Sequence, residues 1–330
     1  MTTPLSERIS RARANGGITM AELSIGAVIT EDTVSYPGAH TPDRQWRADA
    51  DGVSLAVCEW GNEHAPPLFL LHGGFDFSRT FDVFAPILAA GGWRVVSWDH
   101  RNHGDSDATP FTSWAADIRD ATTVMSMVTS KSAPVLGHSK GGAMALRLAQ
   151  ALPHKFTHVV NIDGLPSMRP APDVSNHERT RLLQQDLSGW LDHKRTSPDS
   201  QRKPGSIAEL AKRRARMNPR LTTEWLSYLV TVGAKHDADG WRWKIDPMMR
   251  MGGFGPWRPA WSLDGLPGLP MPFLGLLGLE VEQMGWGTVP DDLRGRLPRG
   301  GHLETFADTG HFIHIERPGE TANVILEFLS

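Results

Sequence analysis

With 330 residues, of which 40% are hydrophobic, the chain can bury a large core in one α/β domain or in two smaller ones. A formal net charge of −3 argues against nucleic acid or an anionic membrane as the main partner. The single cysteine, Cys58, excludes an intramolecular disulfide and a thiolate zinc cluster, so we interpret it as a buried structural thiol.

Residues 1–44 are interpreted as an N-terminal arm. Its opening stretch, MTTPLSERISRARANGG, is amphipathic, and no later run reaches the roughly 18 apolar residues that span a bilayer. We therefore expect no stable membrane insertion and a cytoplasmic location.

Strand-like segments follow the arm. RQWRADADG and VSLAVCEWG predict a hairpin with Asp51 and Gly52 at its turn. The continuous apolar run PPLFLLHGG is typical of a strand buried on both faces. Further short apolar runs, WRVVSWD, APVLGH, THVVNID and MPFLGLLG, alternate with segments of helical spacing. This alternation predicts an α/β fold with a mostly parallel sheet flanked by helices.

The alternation stops in residues 164–270, which are richer in charge, proline and tryptophan. This region has a helical pattern at SIAELAKRRARM and no clear strand. Sheet-like patterning resumes at Met271. The simplest interpretation is a mainly helical lid, residues 164–270, inserted into a core built from residues 45–163 and 271–330.

The stretch VLGHSKGGAMAL places Ser139 where a strand becomes a helix, with Gly137 and Gly141 two residues away on either side. A sharp turn of this kind crowds the residue at its corner, so the neighbouring positions must lack bulky side chains. The hydroxyl is then exposed as a nucleophile requires, which makes the stretch a candidate nucleophile elbow. The alternative interpretation is a serine that only caps the helix.

A serine hydroxyl is a weak nucleophile unless a base takes its proton, and histidine suits that task near neutral pH. Among the 14 histidines, His311 is the preferred base, because DTGHFIHIERP follows the short strand HLETF and precedes the final helical segment. His314 and His302 are the nearest rivals.

Four segments, LHGGF, DHRNHGDSD, GHSKGG and DTGHFIHIERP, together resemble the α/β-hydrolase fold superfamily, in its lid-bearing serine esterase-like branch. The resemblance covers roughly residues 45–163 and 271–330 and is weak in the arm and the lid. It implies an eight-stranded sheet, a catalytic triad whose base lies on the loop that carries His311, and no cofactor.

The triad also needs an acid to orient the imidazole. The superfamily usually carries an aspartate just after the strand that corresponds to MPFLGLLG, but the following GLEVEQM contains none. Glu282 is our first choice, because it lies four residues after Gly278, a spacing seen in relatives that carry the acid late. Asp163, at the end of THVVNID, is the main alternative, since some branches carry the acid there. Glu280 is the third candidate.

Negative charge that develops on the acyl oxygen needs preorganised N–H donors, the oxyanion hole. One candidate donor is the N–H of Lys140, at the start of a helix, where the helix dipole contributes. The resemblance implies a second donor just after His72 and Gly73, supplied by Gly74 or Phe75. His72 itself is interpreted as a structural hydrogen-bonding residue.

The segment WDHRNHGDSD brings Asp99, His100, His103 and Asp105 close together, as a metal site would. Metal-free relatives use a similar cluster for structural hydrogen bonds, so we predict no metal.

The lid sequence leaves two further questions. WRWK and MMRMGGFGPWRPAW either line an apolar acyl or aromatic pocket or form the lid's own core. Lys212, Arg213, Arg214 and Arg216 form a basic helix face, which we interpret as solvated surface rather than as a site for an anionic substrate.

These residues predict a serine hydrolase that cleaves a small-molecule carboxylic ester through an acyl-enzyme intermediate. Dehalogenases and epoxide hydrolases of the superfamily use an aspartate nucleophile and are disfavoured by Ser139. The same triad could serve a thioesterase, a lactonase, an acyltransferase or a carbon–carbon bond hydrolase, and a non-catalytic ligand-binding protein is a further alternative. No nucleic-acid partner is expected, and the oligomeric state stays open, a homodimer included.

Overall fold

A computed structural model describes most of the chain. The described residues are 34–110, 112–166, 179–196, 202–247, 249 and 259–330. Their strands, in chain order, are β1 (Arg44–Asp49), β2 (Ser54–Trp60), β3 (Pro67–Leu71), β4 (Arg94–Trp98), β5 (Ala133–His138), β6 (Phe156–Ile162), β7 (Ala234–Asp237), β8 (Gly240–Trp243), β9 (Phe273–Gly278) and β10 (His302–Phe306). Their α-helices are α1 (Phe84–Ala90), α2 (Trp114–Val128), α3 (Lys140–Ala151), α4 (Arg179–Thr196), α5 (Ile207–Ala215), α6 (Thr223–Gly233), α7 (Pro259–Asp264), α8 (Ile313–Glu316) and α9 (Pro318–Leu329).

Eight of these strands form one sheet in the order β1-β2-β4-β3-β5-β6-β9-β10. β2 pairs antiparallel with β1 and β4, and the remaining neighbours are parallel. The predicted mostly parallel, eight-stranded sheet is therefore confirmed. Because the carboxyl ends of parallel strands meet at one edge, residues that follow β3, β5, β6, β9 and β10 are brought together there.

The first hairpin turns where the sequence predicts. Asp51 has φ 53° and Gly52 has φ 83°, and the flanking Ala50 and Val53 exchange backbone hydrogen bonds of 2.9 and 3.3 Å. Two consecutive residues with positive φ define the tight turn whose twist matches that of the paired strands, and Asp-Gly is a preferred pair for it.

Helices cover both faces of the sheet. Phe69 and Leu71 of β3 belong to one buried apolar cluster, whereas Leu68 and Leu70 belong to another. Alternate residues of a strand point to opposite faces, so the two clusters lie on opposite sides of the sheet. Side chains of α2 and α3 join the first cluster, and those of α1 and α9 join the second.

The region inserted between β6 and β9 is mainly helical, but it also contains a hairpin, so the expectation of no clear strand is wrong. β7 and β8 pair antiparallel, with Asp237 opposite Gly240, which has φ 113°. The pattern concealed this hairpin because each strand has only four residues, and β7, with the sequence AKHD, has no apolar alternation.

The inserted region shares a third apolar cluster with the core. Side chains of α5 and α6 join Phe77 and Phe312, and Trp241 and Trp243 of β8 pack against the same cluster. The tryptophans of WRWK therefore pack against the cluster that the inserted region shares with the core. Most of MMRMGGFGPWRPAW lies outside the described residues. The boundaries of the lid, and its role as a cover, stay predictions.

The arm is described from Val34 onward. Val34 is buried in the third cluster, and the ring of Tyr36 lies 4.9 Å from that of Trp225, centroid to centroid. The amphipathic opening stretch lies outside the described residues. In the part of the chain that the structure describes, no helix has both the length and the apolar character to cross a bilayer.

Candidate active site

Ser139 lies at a sharp corner between β5 and α3. Its backbone, with φ 53° and ψ −118°, is in the left-handed half of conformational space that costs a non-glycine residue roughly 1–3 kcal/mol. Ser139 N–H donates to Ile162 O at 3.0 Å, and Ser139 O accepts from Ala143 N–H at 3.1 Å, which hold the corner. The side chain makes no capping hydrogen bond, so the alternative of a simple helix cap is wrong.

The two glycines around Ser139 are required by close backbone contacts. A Cβ atom on Gly137 would lie 2.2 Å from Gly141 O, and one on Gly141 would lie 2.2 Å from Leu71 O. Any side chain at either position would push α3 away from β3 and β5. The G-x-S-x-G spacing is therefore a packing requirement of the corner.

The imidazole of His311 contacts the carboxylate of Asp163, which directly follows β6. Its Nδ1 lies 2.5 Å from Asp163 Oδ2, and the His311 side chain is 2% exposed. An ionised carboxylate only accepts hydrogen bonds, so Nδ1 carries the proton and Nε2 is left as the basic nitrogen. Asp163 Oδ1 accepts from Gly278 N–H at 3.3 Å, which anchors the carboxylate between β6 and β9.

Glu282, our first choice for the acid, contacts a different part of His311. Its Oε2 accepts from the His311 backbone N–H at 2.6 Å. The expectation that Glu282 bonds the imidazole is therefore wrong. The loop after β9 places the Glu282 carboxylate on the main-chain N–H of His311, and Asp163 occupies the Nδ1 atom of the ring. Burial raises the pKa of Glu282. Glu280 is exposed, and its backbone N–H donates to Thr309 O at 3.0 Å.

The rival histidines lie in other environments. His314 is buried among rings, with centroid distances of 4.5 Å to His138, 5.2 Å to Phe81 and 5.8 Å to Phe84. Burial lowers the pKa of His314 to about 3, which suits a neutral packing residue. His302 begins β10, opposite Leu274 of β9.

His138, the residue before Ser139, is a site residue that the sequence analysis missed. Its Nε2–H donates to His311 O at 2.9 Å, and the two rings lie 4.6 Å apart, centroid to centroid. Burial lowers the pKa of His138 well below its usual value, so the ring stays neutral. His138 therefore ties the loop of His311 to the strand that ends at Ser139. Its place inside GHSKG was the available signal.

Ser139 and His311 are brought to the same edge through these contacts. Among the described residues, the Ser139 hydroxyl makes no hydrogen bond, and the bond between nucleophile and base is often long before substrate binds. Phe75, Ser139 and Asp163 all have positive φ, at 58°, 53° and 45°. Backbone strain of this kind is typical of functional sites, because the surrounding structure must hold it in place.

The loop after β3 lies beside the start of α3. A Cβ atom on Gly74 would lie 3.8 Å from Lys140 Cβ. Phe75 N–H, one candidate oxyanion donor, instead donates to His103 Nε2 at 3.2 Å. That amide is already bonded to the segment after β4, so the geometry favours Gly74 as the partner of the Lys140 N–H.

The side chain of Lys140 is buried beneath the same loop. Its Nζ lies 2.8 Å from Asp117 Oδ2, and the two side chains are 6% and 2% exposed. Burial lowers the pKa of His100, and the Lys140 charge lowers it further, so this neighbouring histidine stays neutral. The buried Lys140 cation therefore helps to keep His100, which hydrogen-bonds to His72 O, in its neutral form.

The Asp99 to Asp105 cluster is occupied by structural hydrogen bonds. Asp99 Oδ1 accepts from Ser78 N–H at 2.7 Å and from Ser78 Oγ at 2.6 Å, and Oδ2 accepts from Asp105 N–H at 2.7 Å. His100 Nε2–H donates to His72 O at 3.1 Å. Within the described ranges, no three His, Cys, Asp or Glu side chains are grouped as metal ligands would be.

The sequence profile of the alpha/beta hydrolase family matches residues 68–324. A serine hydrolase-like protein of Dictyostelium discoideum is 30% identical over 119 residues, 34% of this chain and 32% of that protein. The chain thus matches about a third of that relative's length.

A longer match is to the sn-1-specific diacylglycerol lipase ABHD11 of Mus musculus. It is 23% identical over 278 residues, 82% of this chain and 83% of that protein. Among solved structures, the thioesterase domain from the curacin biosynthetic pathway has a TM-score of 0.72 at 22% identity, covering 86% of this chain and 99% of that domain. At that identity the structural likeness concerns the fold.

Proposed function

Because this chain belongs to the alpha/beta hydrolase family, we propose that it is a serine hydrolase that cleaves a carboxylic ester through an acyl-enzyme intermediate. The observation that carries the proposal is the 2.5 Å contact between His311 Nδ1 and Asp163 Oδ2, on the sheet edge where Ser139 forms a strained corner. A nucleophile, a base and an orienting acid are the parts that acyl transfer needs.

In the first half of the reaction, Ser139 Oγ attacks the acyl carbon while His311 Nε2 takes its proton. Asp163 stabilises the resulting imidazolium. The N–H groups of Gly74 and Lys140 stabilise the oxyanion. The carbon–oxygen bond to the leaving alcohol then breaks, and His311 returns the proton to that alcohol, which leaves the acyl group on Ser139.

In the second half, His311 takes a proton from water, and the hydroxide attacks the acyl carbon. The bond to Ser139 Oγ breaks, Ser139 regains its proton from His311, and the carboxylic acid departs. These steps use groups of this chain, the substrate and water. The mouse relative supports an ester as the bond cleaved, since a lipase that acts on diacylglycerol hydrolyses an ester.

Ser139→Ala tests the proposal. Loss of the nucleophile is expected to reduce turnover of p-nitrophenyl esters by about 10⁶-fold, while thermal unfolding stays close to that of the wild type, since only a hydroxyl is lost. Ser227→Ala, which removes the hydroxyl of a buried serine in α6, serves as the matched control and should retain turnover. Near-normal turnover in a folded Ser139→Ala protein would contradict the serine mechanism.

Two further measurements define the chemistry. Covalent labelling by a fluorophosphonate at Ser139 is expected of a catalyst, and its absence would favour the non-catalytic ligand-binding alternative. A series of p-nitrophenyl esters of increasing acyl length, run beside thioesters of the same acyl groups, then measures the preferred acyl length and bond. A strong preference for the thioesters would replace the ester assignment.

A further inference from the structure

The loop from His72 to Asp76 is held at three successive peptide groups. His72 Nδ1–H donates to Gly73 O at 2.7 Å, which fixes the peptide that carries the Gly74 N–H. Phe75 N–H donates to His103 Nε2 at 3.2 Å, which fixes the next peptide. Arg214 Nη1–H donates to Phe75 O at 2.7 Å, which fixes the third.

The third of these bonds comes from a distant part of the chain. His72 and His103 belong to the core, whereas Arg214 is in α5 of the inserted region, 139 residues from Phe75. A second contact supports His103 from the same region, because His103 forms an isolated bridge with Ile245. The inserted region therefore supports the Phe75 loop directly through Arg214 and indirectly through the bridge between Ile245 and His103.

Phe75 needs such support because of its conformation. Its φ of 58° is in the left-handed region, which a large side chain rarely adopts. A residue in this state persists only where its neighbours hold it. Release of Phe75 O would allow the peptide between Phe75 and Asp76 to rotate. Phe75 would then leave its strained conformation, its N–H would shift from His103 Nε2, and the Gly74 N–H of the preceding peptide would lose its alignment.

Arg214 lies close to a second residue of the loop, Asp76. Arg214 is half-buried, and the next loop residue, Asp76, is buried at 1% exposure. Burial raises the pKa of Asp76, and the nearby Arg214 charge opposes that rise. The guanidinium thus hydrogen-bonds the carbonyl of Phe75, and its charge acts on the side chain of the next residue, Asp76.

We propose that Arg214 is a positioning residue, which aligns the oxyanion-hole N–H of Gly74 by holding Phe75 O from the inserted region. This inference rests on the proposed acyl transfer and assigns a task to the basic face of α5. It also makes the seating of α5 on the core a condition for full stabilisation of the transition state.

The neighbouring Arg213 offers a matched control. It is also on α5 and also donates to backbone carbonyls, those of Lys203 and Pro204, each at 2.9 Å. Both acceptors lie within the inserted region, so loss of Arg213 removes similar bonds without touching the Phe75 loop. A general loss of stability and a specific loss of alignment are thereby separated.

The experiment compares Arg214→Met, Arg214→Lys and Arg213→Met in the full chain. For each protein, kcat and KM are measured with a p-nitrophenyl ester, and Ki with a trifluoromethyl ketone, whose adduct with Ser139 carries the oxyanion. Arg214→Met is expected to lower kcat by about 10- to 100-fold with little change in KM, and to raise Ki by a similar factor. Arg214→Lys should recover part of both losses, and Arg213→Met should change neither.

A proportional change of kcat/KM and of 1/Ki across the Arg214 variants is the result that supports the proposal. Unchanged kcat and Ki in Arg214→Met, with a lower melting temperature, would show a purely structural role and overturn it. If Arg214→Met does not fold, Arg214→Lys decides, since unequal changes in kcat/KM and 1/Ki there overturn the proposal as well. Retained turnover in Ser139→Ala would instead contradict the proposed function.

Discussion

The loops that follow β6 and β9 each bring a carboxylate to His311, and the two carboxylates bind different atoms. Asp163 comes directly after β6 and meets the ring at Nδ1, whereas Glu282 comes four residues after Gly278 and meets the main-chain N–H. Asp163 is still part of the sheet's register, because its N–H donates to Leu276 O at 2.9 Å. Glu282 lies in a turn, where its O accepts from Gly285 N–H at 3.1 Å.

The comparison separates two ways of supporting a base. A carboxylate on the ring selects the tautomer and stabilises the imidazolium, so it acts on the chemical step. A carboxylate on the main-chain N–H holds the loop, so it acts on the position of the residue. Residue type and distance along the chain do not distinguish these two roles, whereas the His311 atom that each carboxylate contacts does, Nδ1 for Asp163 and the main-chain N–H for Glu282.

The largest effect within this comparison is expected from Asp163→Asn. The amide is nearly isosteric but can direct its NH₂ at Nδ1, which favours the wrong tautomer, and kcat should fall by about 10²- to 10⁴-fold. Steady-state kinetics on a p-nitrophenyl ester measures this, with Glu282→Gln as the matched control, expected to stay within about tenfold of the wild type. The opposite ranking would return the triad acid to Glu282.

An intermediate effect is expected from Gly310→Ala, which crowds the contact between Glu282 and the His311 main chain. The new Cβ would lie 2.2 Å from Glu282 Oε2 and 2.6 Å from Arg220 Cδ. Relieving this overlap should cost about 1–3 kcal/mol of unfolding free energy, as overpacking does, and shift the histidine loop enough to reduce kcat several-fold. Chemical denaturation and kinetics on the same samples measure both.

Gly268→Ala is the control for that substitution, because a Cβ atom there would have no neighbour within 4 Å. It should leave both stability and kcat near the wild-type values. An unchanged Gly310→Ala protein would mean that the Glu282 loop adapts freely, and the positional role of Glu282 would then have to be abandoned.

The features that the sequence predicted correctly depend on local patterns. Apolar runs identify buried strands, Asp51-Gly52 specifies a turn with two positive φ angles, and the spacing of Gly137 and Gly141 reflects contacts within one strand-to-helix corner. In each case the cause and the structure lie within a few residues of each other. Local sequence patterns are therefore enough to predict most of the strands of the sheet and the candidate nucleophile.

The features that it missed depend on contacts between distant segments. That Asp163 rather than Glu282 meets the ring follows from the β6–β9 pairing and from the course of the loop after β9. Arg214 was interpreted as solvated surface because a cluster of basic residues does not indicate which of them will bond a distant acceptor, here Phe75 O, 139 residues away. The β7–β8 hairpin depends on the pairing of its two strands and on the packing of Trp241 and Trp243 against a cluster whose other members come from distant segments.

The smallest expected effect is on the pH dependence of stability in Glu282→Gln. Burial is the main cause of the raised pKa of Glu282, and Glu316 adds to it, while the His311 N–H and Arg220 oppose it. As the pH rises through the unfolded value of 4.5, the unfolded chain loses a proton that the folded chain still holds, so unfolding becomes easier until the folded pKa is passed.

Glutamine does not ionise, so the Glu282→Gln protein does not lose stability in this way as the pH rises. Its amide oxygen can still accept from the His311 N–H, so Glu282→Gln should match or exceed the wild-type stability at pH 7, by up to about 1 kcal/mol. That advantage should shrink below pH 4.5. Urea denaturation at both pH values measures the difference, and the same change at the exposed Glu280 is the control. A Glu282→Gln protein that loses stability at pH 7 would show that the charge strengthens the bond to His311 by more than burial costs.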